Sequence, residues 1–154
     1  MPRASPGSRV PRGLASGNEY AVDDIVRQPL LGGATVATYA ASVREGGRAD
    51  GKPIGVLAIH FDWEPQARAI VKGVRLTEHE KARTRVLLVD ADKRVIAASD
   101  EQGVLGERIQ LDTGGRRHGF YHDKSGHAVA FHETPGYETY AGLGWYGVIL
   151  QQSA

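Results

Sequence analysis

The sequence predicts an α+β fold, an antiparallel sheet with helices on one face, and three observations carry that prediction. Apolar residues recur at helical spacing most strongly over Ala67, Ile70, Val71 and Val74. Beyond Arg83 the period switches to two, in runs separated by Asp, Gly and Ser turns. With 154 residues, 41% hydrophobic and 24% charged, the chain reads as one domain, or a domain plus a remnant, with two independent cores not expected, and is too apolar to be disordered throughout.

The elements follow in order. Residues 1–18 are rich in Pro, Gly, Ser and Arg and have no apolar stretch, so they read as a disordered leader or fusion remnant and not as a signal peptide. Glu19 to Leu31 carries Val22, Ile25 and Val26 at helical spacing before Pro29, Gly32 and Gly33, which predicts a short helix or turn. Ala34 to Val43 and Ile54 to Phe61 are β-rich, with the Gly-rich stretch Arg44 to Lys52 between them, so they read as strand, loop, strand. Asp62 can cap a helix whose first turn holds Glu64 and Pro65, and Thr77 with Glu80 fits a capping box for a second, Glu78 to Arg83. Arg85 to Val89 and Arg94 to Ala98 make a hairpin around Asp90 to Lys93. A long polar connection, Ser99 to Gly115, leads to a second hairpin, His118 to His122 with His127 to Phe131. Its four-residue turn, Asp123 to Gly126, sets His122 opposite His127. Trp145 to Gln151 is the last strand.

Composition excludes several classes of function. The net charge of +1 comes from 19 basic and 18 acidic residues, and Arg3, Arg9 and Arg12 lie in the leader, so the remainder carries 16 against 18, or −2. A slightly acidic body lacks the footprint that phosphate-dominated binding needs, which argues against a nucleic-acid partner. Zero cysteines remove disulfides, thiolate metal sites and Cys nucleophiles together. The longest apolar run, Pro53 to Phe61, is too short to span a bilayer as a helix.

Two glycine patterns fail on context. Gly46, Gly51 and Lys52 have P-loop spacing, but Pro53 has no hydroxyl for Mg²⁺ and a strand follows where a helix is needed. Gly142, Gly144 and Gly147 match a dinucleotide fingerprint, yet the chain runs into its last strand with no helix to receive a pyrophosphate. Asp90 and Asp92 lack the other ligands of a Ca²⁺ loop. The sequence also contains neither G-x-S-x-G nor H-E-x-x-H.

The histidines His118, His122, His127 and His132 are the constellation that bears on metal chemistry. Strand geometry separates His118 from His122 by about 13 Å, too far to share one ion, so no metal site and no cofactor is assigned. The other face of the hairpin is more suggestive. Gly119, Ala128 and Ala130 form a floor of small side chains bordered by Arg117, Tyr121 and His132, an arrangement that leaves room for a small ligand and offers it polar contacts. Helix packing over the same small residues is the competing reading. Tyr137, Tyr140, Trp145 and Tyr146 add aromatics near the last strand, and Tyr140 joins Arg117, Tyr121 and His132 as a candidate ligand-binding residue. No residue is assigned a catalytic role.

Three stretches carry a family resemblance. PIGVLAIHFD, Pro53 to Asp62, followed by a helix, resembles the point in Cache sensor domains where a strand of one module leads into the helix of the next. RVLLVDADKRVIAAS, Arg85 to Ser99, is similar to that family's strand pair around an Asp-containing turn, and TPGYETYAGLGWYGVILQQ, Thr134 to Gln152, to its closing strands. The resemblance spans about Glu19 to Gln151. It implies a PAS-like Cache, or PDC, sensor region: 19–61 the last strands of an upstream module and 62–151 a PAS-like module.

It further implies a module without catalytic activity in a bacterial signal-transduction protein, in particular a methyl-accepting chemotaxis receptor. The implied ligand is a small metabolite, an amino acid, organic acid or amine. The implied partners are a second copy, forming a homodimer in the full-length protein, and a downstream signalling domain missing from this chain. The implied location is the extracytoplasmic, periplasmic face of the inner membrane, with a cytoplasmic location the alternative because neither a membrane span nor a signal peptide is found in the sequence. The amino-acid motif of double Cache domains is absent, so no family ligand contact is carried over. Two other functions compete: a metal-dependent enzyme using the histidine hairpin with Glu133 or Glu138 as base, and a ligand-free transmitter or interaction module.

Overall fold

The computed structural model describes residues 17–136 and 142–153, and its chain divides into two compact units, one ending at Trp63 and one beginning at Glu64. The leader up to residue 16 lies outside the described residues.

The first unit is a three-stranded antiparallel sheet, β1 (Tyr20–Gln28), β2 (Ala34–Arg44) and β3 (Pro53–Asp62), in the order β1-β2-β3. The helix or turn expected at Glu19 to Leu31 is therefore corrected: it is a strand closed by one 3₁₀ turn, Pro29–Leu31. The helical spacing has a physical cause. Asp23 pairs with Thr38 and Val26 with Val36, so Asp24 and Ile25 together stand opposite Ala37 alone. This β-bulge resets the alternation of faces and lets a strand carry apolar residues three and four apart. Gly32, at φ 66°, takes the left-handed conformation that reverses the chain into β2.

The second unit begins one residue into α1 (Trp63–Lys72), which follows Asp62 as expected and carries an acid, Glu64, in its first turn and Lys72 in its last. α2 (Glu78–Lys81) has the anticipated capping box: Thr77 Oγ1 accepts from the Glu80 amide at 3.3 Å, and the Glu80 carboxylate accepts from the Thr77 amide at 2.8 Å. Five strands follow, β4 (Thr84–Val89), β5 (Val95–Ala98), β6 (His118–His122), β7 (Ala128–Glu133) and β8 (Tyr146–Gln151). All pairings are antiparallel and the order is β5-β4-β8-β7-β6. The β4–β5 turn is held by Asp90, buried, whose carboxylate accepts from the Arg94 amide at 2.9 Å and from Arg94 Nε at 2.8 Å.

The last strand crosses to the centre of the sheet, where it separates the two hairpins. Pairing there buries one face continuously. Leu87, Val89, Val95, Ala98, Val129, Phe131 and Val148 form the core cluster, and Leu87, Val89, Val95 and Val148 are essentially inaccessible. Val104, Ile109, Leu111 and Tyr121 pack against that cluster. The connection read as polar thus supplies apolar cover to one side of the sheet. Among the described residues no helix is long and apolar enough to cross a membrane.

Candidate functional site

Register decides which side chains can meet on the β6–β7 hairpin. His118 stands opposite His132, Gly119 opposite Phe131, Phe120 opposite Ala130, Tyr121 opposite Val129 and His122 opposite Ala128. The turn is one residue shorter than the sequence reading, because Asp123 is still paired: its amide donates to the His127 carbonyl at 2.9 Å. Lys124, Ser125 and Gly126 alone close the loop, with Gly126 at φ 81° in the left-handed position of a three-residue hairpin. The Asp123 carboxylate accepts from the Ser125 and His127 amides at 2.8 and 2.9 Å, which holds it below the usual aspartate range, the His127 amide bond being the largest cause.

A slip of one residue exchanges faces along one strand of the pair. The expected floor is thereby split. Gly119 and Tyr121 share the core face with Val129 and Phe131, while Ala128, Ala130 and His132 share the opposite face with His118, Phe120 and His122. Gly119 leaves no vacancy either, since a Cβ there would lie 3.2 Å from the Arg116 guanidinium and 3.3 Å from the Phe131 ring. Of the four candidate ligand-binding residues, Arg117 is exposed and paired with Glu133 at 2.9 Å, and Tyr121 accepts from the Asp112 amide at 3.2 Å, bracing the long connection. His132 stacks on His118 at 5.4 Å with its Nδ1 2.7 Å from the Glu133 carbonyl. Tyr140 lies outside the described residues. Arg117, Tyr121 and His132 therefore do not line one pocket. Among the described residues no three His, Asp or Glu side chains come close enough to hold a metal ion, and His127 pairs with Asp123 at 3.3 Å.

The core face is closed by residues 99–117, fastened through Arg85. Its guanidinium donates to both carboxylate oxygens of Glu107 at 3.0 and 2.8 Å and to the Gln102 carbonyl at 2.8 Å, and lies 2.8 Å from Asp100. The two hydrogen bonds from Arg85 hold the Glu107 carboxyl below its ordinary range. Backbone bonds complete the attachment: the Val95 amide donates to the Glu107 carbonyl and the Leu105 amide to the Val95 carbonyl, both at 2.8 Å.

Two depressions among the described residues of this unit bear on ligand binding. One, of about 310 Å³, lies on the helix-bearing face and is lined by Ile70, Val71, Val74, Val86, Leu88, Ala130, His132 and Ile149. Its walls are almost wholly apolar, so a zwitterion or carboxylate would lose hydration there without replacement. The other, of about 360 Å³, combines apolar Val71, Val74, Leu76 and Val86 with Lys72, Lys81, Thr84, Ser99 and Asp100. Lys81 donates to Glu78 at 2.7 Å and Lys72 to Glu101 at 3.0 Å, and an ammonium has three donors to distribute. The Ser99 hydroxyl accepts from the Val86 amide at 3.0 Å and keeps its own proton to donate. This cleft presents an apolar lining, cationic donors and a carboxylate together, the requirements of a small molecule with charged ends. Periodicity cannot reveal it, because its members come from α1, α2, the start of β4 and the residues after β5.

The fold has solved counterparts. The ligand-binding domain of the Pseudomonas aeruginosa amino-acid chemoreceptor PctC, in complex with GABA, superposes with a TM-score of 0.61 at 15% identity, covering 88% of this chain and 55% of that one. The Pseudomonas fluorescens chemoreceptor CtaA ligand-binding domain, in complex with L-alanine, gives 0.51 at 12% identity over 88% and 56%. The sensor domain of the Vibrio cholerae histidine kinase DctB gives 0.51 at 13% identity over 88% and 57%.

This is the fold of a Cache sensor domain. The chain spans little more than half the length of these Cache structures, and they are ligand-binding or sensor domains, not catalytic ones. No family model and no curated protein matches the sequence.

Proposed function

We propose that this chain is part of the sensory region of a bacterial signal-transduction receptor of the chemotaxis class, with residues 62–151 a PAS-like module and 19–61 the last strands of the module before it. The observation that carries the reading is the Cache fold itself, shared over 88% of the chain with a chemoreceptor ligand-binding domain. The signal is a small metabolite with charged ends, an amino acid, organic acid or amine. Structural neighbours were solved with GABA, L-alanine, L-glutamine and L-norvaline, all of which have an ammonium and a carboxylate. We place the ligand in the mixed cleft, its carboxylate toward Lys81 and Lys72 and its hydroxyl or amine groups toward Ser99 and Asp100. In the whole receptor the region is extracytoplasmic, works as a homodimer and drives a downstream signalling domain by a shift in population between two arrangements.

A thermal-shift panel of amino acids, GABA, dicarboxylates and amines, followed by calorimetric titration, tests this. One class is expected to raise Tm, since a ligand at 100 times its dissociation constant adds about 2.7 kcal/mol. Lys81→Ala removes one charge-assisted bond worth about 1.4 kcal/mol and should weaken that ligand about tenfold. A cooperatively folded protein that responds to none of the panel would overturn the ligand assignment, and loss of Tm on chelation with EDTA would favour the metal-dependent enzyme.

A further inference from the structure

Two imidazoles meet on the β6–β7 hairpin at the kind of position where facing side chains come closest. The Glu133 amide donates to the Arg117 carbonyl at 2.7 Å and the Asp123 amide to the His127 carbonyl at 2.9 Å. Alternation from those hydrogen-bonded pairs makes His118 and His132 a non-hydrogen-bonded pair. Facing Cα atoms are about 4.5 Å apart at such pairs, against about 5.5 Å at the others. Both histidines are exposed, and their ring centres lie 5.4 Å apart with the planes inclined by 17°.

A second feature fixes the chemistry of His132. Its Nδ1 lies 2.7 Å from the Glu133 carbonyl oxygen, which can only accept, so Nδ1 carries the ring proton and Nε2 of the neutral ring keeps its lone pair. Histidines that bind metal ions are oriented in this way, by donating their other ring N–H to a carbonyl or carboxylate. Two imidazoles on one tetrahedral ion, each with its nitrogen about 2.1 Å from it, have ring centres about 5 Å apart. The observed 5.4 Å is close to that separation, and a turn about χ2, a soft torsion, brings a nitrogen of the exposed His118 ring round to the same ion.

The surroundings leave the pair open. On β8 the partner of His132 is Gly147, which has no side chain to cover the ring. Arg117, the adjacent cation, lies on the other face of the hairpin and is paired with Glu133 at 2.9 Å. Among the described residues no further His, Asp or Glu makes a group of three, which leaves the remaining positions of an ion to water. His122 shares the face but lies about 13 Å along β6 by the rise per residue.

We propose that His118 and His132 together bind a divalent transition-metal ion through two imidazole nitrogens. Two protein ligands make a reversible site that fills with the availability of the ion, unlike the closed four-ligand sites of structural zinc. Imidazole donors bind Cu²⁺ more tightly than Zn²⁺, whereas Mg²⁺ and Ca²⁺ prefer oxygen donors. Because β6 is the terminal strand of the order β5-β4-β8-β7-β6, the bound ion ties an edge strand to its neighbour. Neither histidine lines the mixed cleft, so the site stands whether or not that cleft takes a metabolite.

The test titrates the untagged, metal-free chain with ZnCl₂ at neutral pH by calorimetry and follows the histidine rings by long-range ¹H–¹⁵N NMR. The metal-free spectrum should show His132 as the Nδ1–H tautomer. One equivalent of Zn²⁺ should bind in the micromolar range, shift the ring nitrogens of His118 and His132, and raise Tm. His118→Ala and His132→Ala should each weaken binding about a hundredfold, because each reduces a chelate to a single donor, and the double variant should bind no worse than either. His122→Ala should bind as the wild type does. All three positions are exposed, so the variants should keep the metal-free Tm. EDTA should reverse the Zn²⁺-induced rise in the wild type and change nothing in His118→Ala, which separates this site from the metal-dependent enzyme reading. An Nε2–H tautomer at His132, absence of saturation up to about 1 mM Zn²⁺, or an equal loss of affinity in His122→Ala would each overturn the proposal. Displacement of Zn²⁺ by equimolar Mg²⁺ would overturn it too, by giving the ion carboxylate donors.

Discussion

Replacing Arg85 by Met tests how the sheet of the second unit acquires its cover. Met retains much of the apolar stem and deletes the guanidinium, which donates to both oxygens of Glu107 and to the Gln102 carbonyl and faces Asp100. Fully buried, three charge-assisted bonds would be worth several kcal/mol. Here the side chains of Glu107 and Asp100 are 37% and 43% exposed and regain water when the arginine leaves, so each bond is discounted to somewhat under 1 kcal/mol. The expected loss is about 2 kcal/mol, or a Tm lower by roughly 8 to 16 °C for a domain of this size. Urea denaturation at pH 7 reads the first figure and calorimetry the second.

A double-mutant cycle with Glu107→Gln should give a coupling of about 1 kcal/mol. The sign of the pH dependence follows from Glu107, whose folded-state pKa lies below the ordinary glutamate range because of the arginine. Its contribution is complete above the unfolded value and disappears as pH falls through the folded one. The difference between wild type and Arg85→Met should therefore narrow in acid. A loss under about 0.5 kcal/mol, or a coupling near zero, would refute the view that this ion cluster fastens residues 99–117 to the core.

Two other substitutions probe the same unit. Leu87→Ala empties a fully buried position at the centre of the core cluster and should cost about 3 to 5 kcal/mol in urea denaturation, enough to leave the unit partly unfolded at 37 °C. Asp123→Ala removes the acceptor of the Ser125 and His127 amides, so hydrogen exchange at His127 should accelerate while Asp123→Asn retains part of the protection. Because the Asp123 carboxyl sits below its ordinary range, the wild-type advantage should vanish as pH drops through the folded pKa, below the ordinary aspartate range.

Most elements were legible in the residues themselves, because local chemistry specifies them. The capping box at Thr77 and Glu80, the helix after Asp62, the paired runs around Asp90 and the closing strand all form near their expected positions. Where the reading failed, contacts from outside the segment had intervened. Val22, Ile25 and Val26 mimic a helix because β2 forces a bulge opposite Ala37. Val104, Ile109 and Leu111 follow no period, and they are placed against the core by bonds to Val95, Lys93 and Arg85 that no local pattern records.

The candidate site was less legible than the fold for the same reason. By itself the sequence determined the α+β class, the hairpins, the absence of thiol chemistry and the likeness to sensor modules. It also placed small and polar residues on β6 and β7 without determining which of them share a face. Only the tertiary structure decided that, since one residue fewer in a turn sends Tyr121 and His132 to opposite sides of a sheet. It also assembled Lys72, Lys81, Ser99 and Asp100 from three segments into one cleft, and left the apolar strand β3 at an edge. Periodicity assigns a side chain to a face of its own element, whereas a pocket or an exposed edge depends on what the rest of the chain brings to it.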